Sequence, residues 1–386
     1  MTTFVVSDVL GREAGAYLAT WLLCRELARL GPKVTCFAQH ESWAGQESAD
    51  QFEVVRPWLQ KGCRWDWPGQ CLAWQANRRI RREQPDLVLV VGVTPLAKYL
   101  LKSASASQLL IWELTNANPG NKFVDREAAR LLSCCRGLLS PSKAIDQYIR
   151  QTYGYQGPIL RLPFWVEDES EKQKAEGRGQ RTEVGGLREQ DNRTAGPRDN
   201  GFAADFIFLG RRDKEKGLNE LIRATALVAK EFPTVRVLIA GQGTEEPYAG
   251  LARELCVGTN VSFHFFPTRA ETMDALSHSR CLVLPSYHEG YPLVLLEAAQ
   301  HGVPVIATTV GSIPELLNGS RAAILVPPRD VSSLGGAMLR ILRESPQDYE
   351  QRCRTALDLF GRVSSAEAVA TRLKSLLAQL KENSAA

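Results

Sequence analysis

Two carboxylates, Glu289 and Glu297, stand eight positions apart in CLVLPSYHEGYPLVLLEAAQHGVPVIAT, the run from Cys281 to Thr308. The run reads as a buried strand, a polar loop, a short helix and a second buried strand. Glu289 falls in the loop and Glu297 inside the helix. Pro292 suits the first helical turn, where its missing N–H costs nothing. Gly302 suits the helix end, where a left-handed residue is wanted. Such a loop brings free N–H groups, the positive end of a helix and one acid to the carboxyl edge of a parallel sheet. Helix N-termini attract phosphate, and open α/β sheets bind ligands at that edge.

A cationic stretch, FLGRRDKEKG from Phe208 to Gly217, follows an earlier apolar strand, and Gly217 opens the next helix. Arg211 and Arg212 offer forked donor pairs, and Lys214 and Lys216 offer point charges, which together suit a diphosphate. A solvated basic loop is the alternative on these residues alone. Gly241-Gln242-Gly243 follows VRVLIA, where glycine permits a sharp turn or a close approach to a ligand; an ordinary tight turn has the same residues. Glu289, close to the cations, suits a contact with sugar hydroxyls. Glu297 is either on a solvated helix face or a partner for a diol, whose hydroxyls both oxygens of a carboxylate accept. Each acid taken alone is equally consistent with a structural use. His288 adjoins Glu289 and is the most notable of the five histidines, although a lone loop histidine is usually only polar surface.

Other chemistries find no support. Gly11 to Gly15 (GREAG) is a loosened dinucleotide loop without the GxGxxG spacing, so a nicotinamide cofactor is not expected. HExxH, paired-cysteine and GxSxG patterns are missing from the sequence, so metal-hydrolase and α/β-hydrolase readings fail and no metal site is expected. The net charge of +4 gives no support to a nucleic-acid role. The nine cysteines are scattered and read as reduced structural thiols, which implies the cytoplasm. The N-terminus, MTTFVVSDVLGREAG, starts as a strand rather than a signal peptide, and no apolar run is long enough to span a membrane.

The elements that must position these residues alternate between apolar strands and helical patterns. In the first half, strands are expected at Thr3–Ser7, Lys33–Phe37, Asp86–Val91, Leu109–Trp112, Gly137–Ser140 and Pro158–Leu162, with helices at Gly15–Leu30 and Trp74–Arg82 among them. Residues 167–203 are charged and nearly free of apolar side chains, the composition of a flexible tether. Alternation resumes with strands at Asp205–Leu209, Arg236–Ala240, Val261–Phe265, Cys281–Leu284, Pro304–Thr308 and Ala323–Val326. A helical tail ends in Ser364–Lys381. The pattern predicts two doubly wound α/β domains, 1–166 and 204–363, each a parallel sheet with helices on both faces.

Taken together, these residues resemble a family 4 glycosyltransferase of the GT-B fold. The resemblance is strongest from Phe206 to Asp330. It rests on Gly210-Arg211 with Lys216-Gly217, on LIAGQG, on Glu289 through Glu297 in PSYHEGYPLVLLEAAQHGVPVIA, on VGSIPELL with Ser312 in place of a second glycine, and on LVPPRD. The N-terminal half is similar more loosely, through GREAGAYLATWLLCRELARLGPKVTCF, QPDLVLVVG and GLLSPSKAIDQYIRQTYG.

The resemblance implies two Rossmann-like domains facing a cleft, with a C-terminal helix (364–384) crossing back to the first domain. It implies a retaining transfer from a nucleotide-diphospho-sugar, with Arg211, Lys216 and Glu289 as catalytic residues. Donor-binding positions are Gly15, Gly210, Gly241, Gly243, Gly290, Tyr291, Pro292, Leu293 and Glu297, the last holding the ribose diol. No metal or other cofactor is implied. Many family members carry a histidine near the acceptor; here the stretch reads LIWELT, and Glu113 is the acceptor-side candidate by position, or else an acid that only binds backbone. The acceptor is expected to be a glycan or lipid-linked glycan of the cell surface. The basic, Trp-bearing run Cys63–Arg82 reads either as a peripheral membrane contact or as a core helix with an arginine-rich solvent face. A nucleotide-sugar epimerase on the same fold and a non-catalytic nucleotide-sugar-binding protein are the competing functions. The first lacks evident acid/base groups in the N-terminal half, and the second is disfavoured because Arg211, Lys216, Glu289 and Glu297 are all present.

Overall fold

The computed structural model describes residues 1–11, 15–42, 52–57, 67–92, 109–112, 132, 135–167, 203–317 and 319–385. The chain divides into two compact units, Met1–Glu167 with Ala366–Ala386, and Asp168–Ser365.

In the first unit the strands are β1 (Thr2–Gly11), β2 (Lys33–Ser42), β3 (Glu53–Val55), β4 (Leu87–Val91), β5 (Leu109–Trp112), β6 (Gly137–Ser140) and β7 (Ile159–Arg161). They form one parallel sheet in the order β3-β2-β1-β4-β5-β6-β7. The LVLVV of β4 is buried at every position, as a strand covered on both faces must be. Helices α1 (Gly15–Arg29), α2 (Trp67–Glu83) and α3 (Lys143–Tyr153) connect the described strands. The ends of α3 show the local rules at work: Ser142 Oγ accepts from the Ile145 N–H at 3.2 Å, and Gly154 closes the helix at φ +66°.

Three sequence expectations change here. β1 and β2 each run ten residues, about twice the expected length, because they pair with each other along their full length. β3 was not foreseen, since three residues carry no readable period. Helix α2 begins at Trp67 rather than at the expected Trp74. It turns Leu72, Ala73, Ala76 and Ile80 inward and leaves Trp74 56% exposed, with the Arg78 guanidinium 5.5 Å from its ring centroid. Cys63 to Asp66 lie outside the described residues.

The second unit carries β8 (Ala204–Leu209), a 3-10 turn at Lys214–Lys216, α4 (Leu218–Ala229), β9 (Val237–Ala240), α5 (Glu246–Glu254), β10 (Val261–His264), α6 (Arg269–Ser277) and β11 (Ser279–Leu284). There follow α7 (Leu293–Gln300), β12 (Val305–Thr308), α8 (Ile313–Leu317), β13 (Ala323–Val326), α9 (Val331–Arg343) and α10 (Pro346–Val363). The strands form a parallel sheet ordered β10-β9-β8-β11-β12-β13. Its core runs through Phe206, Phe208, Ile239, Leu282, Val283 and Ile306. The chain winds outward one way from β8 to β10 and the other way from β11 to β13, so the direction of winding switches between β8 and β11. Loops that leave the carboxyl ends of strands at such a switch point line the ligand crevice of this sheet type.

The last helix, α11 (Ala366–Ala385), groups with the first unit, where Arg136 Nη2 donates to the Leu380 carbonyl at 3.0 Å. Of the expected tether, residues 168–202 lie outside the described residues. Its end positions are bonded: Arg25 Nη1 donates to Glu167 Oε1 at 2.6 Å and the Ala203 N–H to the His278 carbonyl at 2.7 Å.

Candidate functional site

The loops that leave β8 and β11 meet at the switch point. The first loop is short and held by its own residues. The Asp213 carboxylate accepts from the Glu215 N–H at 3.1 Å and starts the 3-10 turn. Gly217 then takes φ +65°, and a Cβ on it would lie 2.0 Å from the Pro285 carbonyl oxygen. Only glycine lets the two loops come that close. The contact is sealed by the Tyr287 N–H, which donates to the Glu215 carbonyl at 2.8 Å.

Lys216 and Glu289 are brought together by this docking. Lys216 Nζ donates to Glu289 Oε1 at 2.7 Å, and Ser286 Oγ donates to the same oxygen at 2.6 Å. Glu289 is buried and Lys216 nearly so. The loop after β12 completes the lock: Gly311 sits at φ +55° with space for a Cβ only 1.7 Å from the Glu289 carbonyl oxygen, and the Ser312 N–H donates to the Gly290 carbonyl. Thr308 Oγ1 donates to the Ser286 carbonyl at 2.6 Å. A cation and an acid are thus fixed side by side, and removing either would strand a buried charge, a loss typically of about 3–5 kcal/mol.

The other expected residues fall as follows. Gly210 follows β8 directly, and its N–H donates to the Ala240 carbonyl at 3.0 Å. Gly241 packs against it so closely that a Cβ would meet the Gly210 oxygen at 1.9 Å. Arg211 is 72% exposed and pairs with Asp213 at 3.3 Å, which leaves its guanidinium at the solvent edge of the loop. Gly290, Tyr291 and Pro292 lead into α7, where Leu293 is buried. Pro292 is the residue before the helix rather than within its first turn, and no side chain caps that end. Gly302 follows the helix at φ +65°, as expected. Gly15 is the first residue of α1 in the other unit, while Arg12 to Ala14 and the acceptor-side candidate Glu113 lie outside the described residues.

Two side chains whose use the sequence left open are now placed. Arg212 is engaged within the protein: its Nε donates to the Gly243 carbonyl at 3.1 Å and its Nη1 to the His264 carbonyl at 3.3 Å, so it staples three loops. Glu297 is not on a solvated face. It is 7% exposed and ion-paired with Arg269.

Three contributors escaped the sequence reading. Arg269 was legible only indirectly, through the Thr268-x-x-Glu271 capping box that places it in the first turn of α6. Ser286 stands inside the motif PSYHEGYP without having been singled out. Tyr287 donates its hydroxyl to Glu220, and the Arg329 guanidinium lies 4.1 Å from its ring centroid. Burial and the Glu220 carboxylate push the Tyr287 hydroxyl up to about 12, so it remains a proton donor that latches the acid loop to α4. Among the described residues no cluster of three or more His, Cys, Asp or Glu is placed to hold a metal ion.

Comparison with known proteins places this geometry. A family model described as "Glycosyl transferases group 1" matches residues 194–356, and one described as "Glycosyltransferase Family 4" matches residues 15–169. The chain is 30% identical over 154 residues to a glycogen synthase of Mycobacterium tuberculosis, covering 40% of this chain and 37% of that protein. It is 32% identical over 179 residues to a D-inositol 3-phosphate glycosyltransferase of Corynebacterium aurimucosum, covering 44% of this chain and 42% of the relative. The matched stretch therefore spans about two fifths of the length of these curated relatives. Among solved structures, a sucrose-phosphate synthase of Thermosynechococcus elongatus superposes with a TM-score of 0.77 at 18% identity, covering 99% of this chain and 100% of the other. HepE of Anabaena, solved in complex with UDP-glucose, superposes with a TM-score of 0.69 at 16% identity, covering 98% and 99%. At these identities the structural likeness speaks to the fold.

Proposed function

The chain belongs to glycosyltransferase family 4 and has the GT-B fold, and from that premise we propose that it moves a sugar from a nucleotide-diphospho-sugar to a hydroxyl of a glycan or glycolipid acceptor, with retention of anomeric configuration. The observation that carries this reading is the Lys216–Glu289–Ser286 cluster at the switch point of the second sheet. Lys216, with Arg211 swinging in from the solvent edge, neutralises the charge that develops on the departing diphosphate. Preorganised charge of this kind is usually the largest catalytic contribution. Glu289 accepts hydrogen bonds from the sugar hydroxyls, and Glu297 from the ribose diol. The N–H groups of Gly290 and Tyr291 lead into the uncapped start of α7, where negative charge is favoured.

Transfer proceeds on one face of the sugar. The bond from the anomeric carbon to the diphosphate oxygen breaks as the acceptor oxygen bonds to the same face of that carbon, and the acceptor proton passes to the leaving diphosphate oxygen. The cations take the role that a metal ion fills in other transferases, so activity is expected to persist in a chelator. The donor in the HepE complex, UDP-glucose, makes uridine sugars the first class to try. An acceptor at a cytoplasmic membrane surface accords with the exposed Trp74 and Arg78 of α2; no described helix is long and apolar enough to cross a membrane.

The test is a thermal-shift and slow-hydrolysis panel of UDP-, GDP- and ADP-sugars on the unsubstituted protein, with Lys216→Gln and Glu297→Gln beside it. One donor should raise the melting temperature of the unsubstituted protein and of neither variant. Silence across the panel would turn the reading toward a scaffold that has kept the family's residues without their ligand.

A further inference from the structure

Glu297 is the single charged residue in the LVLLEAAQ of α7. A carboxylate removed from water needs a partner to remain ionised. That partner is Arg269, whose Nη1 meets Glu297 Oε1. Arg269 is itself held. It opens α6, whose start is fixed by reciprocal bonds, Glu271 N–H to Thr268 Oγ1 at 3.2 Å and Thr268 N–H to Glu271 Oε2 at 3.3 Å. Its side chain is 19% exposed, so the ion pair is largely shielded from water. Helix α6 follows the loop after β10 and α7 follows the loop after β11, so the pair ties together two connections on the ligand-binding edge of the sheet. Arg269 lies outside every motif that announced the site.

We propose that Arg269 is a positioning residue that sets the sugar selectivity of the nucleotide site. It holds Glu297 in one rotamer, and that fixed carboxylate discriminates ribonucleoside from 2′-deoxyribonucleoside diphosphates. The inference rests on the reading of Glu297 as the acid that holds the ribose diol. With one oxygen engaged by Arg269, the carboxylate cannot turn to suit a ligand that lacks a hydroxyl. A deoxyribose then leaves a shielded acceptor unpaired. Such a loss is worth on the order of ten- to a hundredfold in affinity. Without the guanidinium the carboxylate is free to rotate, and the missing hydroxyl matters less.

The experiment measures binding of UDP, GDP and ADP and of their 2′-deoxy counterparts by titration calorimetry, together with inorganic pyrophosphate as a competitor. It uses the full chain, Arg269→Gln and Arg269→Lys. The unsubstituted protein should prefer the ribo form of the base it binds by about tenfold or more. In Arg269→Gln the two forms should bind within about threefold of each other, with pyrophosphate affinity unchanged and Arg269→Lys intermediate. A ribo preference that survives in Arg269→Gln overturns the proposal while the donor reading stands. So does a matching loss of pyrophosphate affinity, which would make Arg269 a phosphate ligand instead. Should Arg269→Gln not fold, the ratio in Arg269→Lys decides: an unchanged preference overturns the proposal. If the unsubstituted protein binds none of the six nucleotides, the donor reading has failed and this inference falls with it.

Discussion

In the second unit the loops leaving β8, β11 and β12 are bonded to one another at the carboxyl edge of the sheet, through Lys216–Glu289, Tyr287–Glu215 and Ser312–Gly290. In the first unit a described charge network lies at the opposite, amino edge. There Arg79, in the last turns of α2, reaches Glu53 at 2.7 Å and Glu83 at 2.9 Å, while Thr35 donates to Glu53 at 3.0 Å. The Arg79 guanidinium also lies within 6 Å of the Phe4 and Phe37 rings. The two sheets share their winding, so the difference is one of placement. A network at the amino edge fastens a helix to strands of its own sheet, and its charges are spent on each other. A network at the carboxyl edge lies where ligands bind, so its charges can be exchanged for those of a diphosphate. Placement in the sheet, more than the number of ion pairs, distinguishes a strut from a site.

Three measurements would break or sharpen that contrast. The largest effect is expected at the carboxyl edge. Glu289→Gln keeps the shape of the side chain and removes its charge; it should lower sugar transfer by roughly a hundredfold or more, assayed below a melting transition that the stranded Lys216 charge brings down. Activity within a few-fold of the unsubstituted protein would mean that the cluster is a strut after all. Next comes Gly311→Ala, which puts a Cβ against the Glu289 carbonyl at a positive φ. It should cost about 2 kcal/mol in denaturant unfolding and weaken donor binding with it. Retained binding in a destabilised protein would show that the acid loop does not need its neighbour.

The smallest effect is expected at the amino edge. Arg79→Met should cost about 1 kcal/mol or less at neutral pH and leave donor affinity untouched. Its signature is in pH. Hydrogen bonding to Arg79 holds the Glu83 carboxyl down to about 2 and lowers Glu53 as well. A depressed acid contributes stability above its unfolded value, about 4.3, and that contribution disappears as pH falls toward 2. The difference in melting temperature between the unsubstituted protein and Arg79→Met should therefore be full at pH 7 and shrink between about pH 4 and pH 2. A gap that stays constant over that range would remove Arg79 as the cause.

The C-terminal half was easier to read than the N-terminal half, for a physical reason. Its strands are short and mostly apolar, and a short loop follows each, so each motif stands next to the strand end that carries it. Gly210, Gly241, Lys216 and Glu289 could be placed on one edge before any coordinates. In the first half, β3 is too short to show a period and β1 and β2 owe their length to pairing with each other. Whether Trp74 faces the core or the surface stayed open, because periodicity reports which residues share a face and not which face meets the sheet. Arg212 and Arg269 show the same limit for charge. Both are basic residues near a site, and nothing in their local sequence says that one staples carbonyls and the other neutralises a buried acid.

The order of apolar strands and helical patterns, the glycines that loops of opposite strands require, and the family motifs are local in the chain, and the sequence by itself determined them. With them came the doubly wound architecture and the cation and acid positions of the second unit. Partnership was decided only in the tertiary structure. Lys216 and Glu289 are 73 positions apart and Arg269 and Glu297 are 28 apart, and each pair exists because parallel strands bring distant loop ends to one edge. The free energy of a buried charge depends on what stands within a few ångströms of it, and that neighbour is fixed by the winding of the sheet, which no local pattern records.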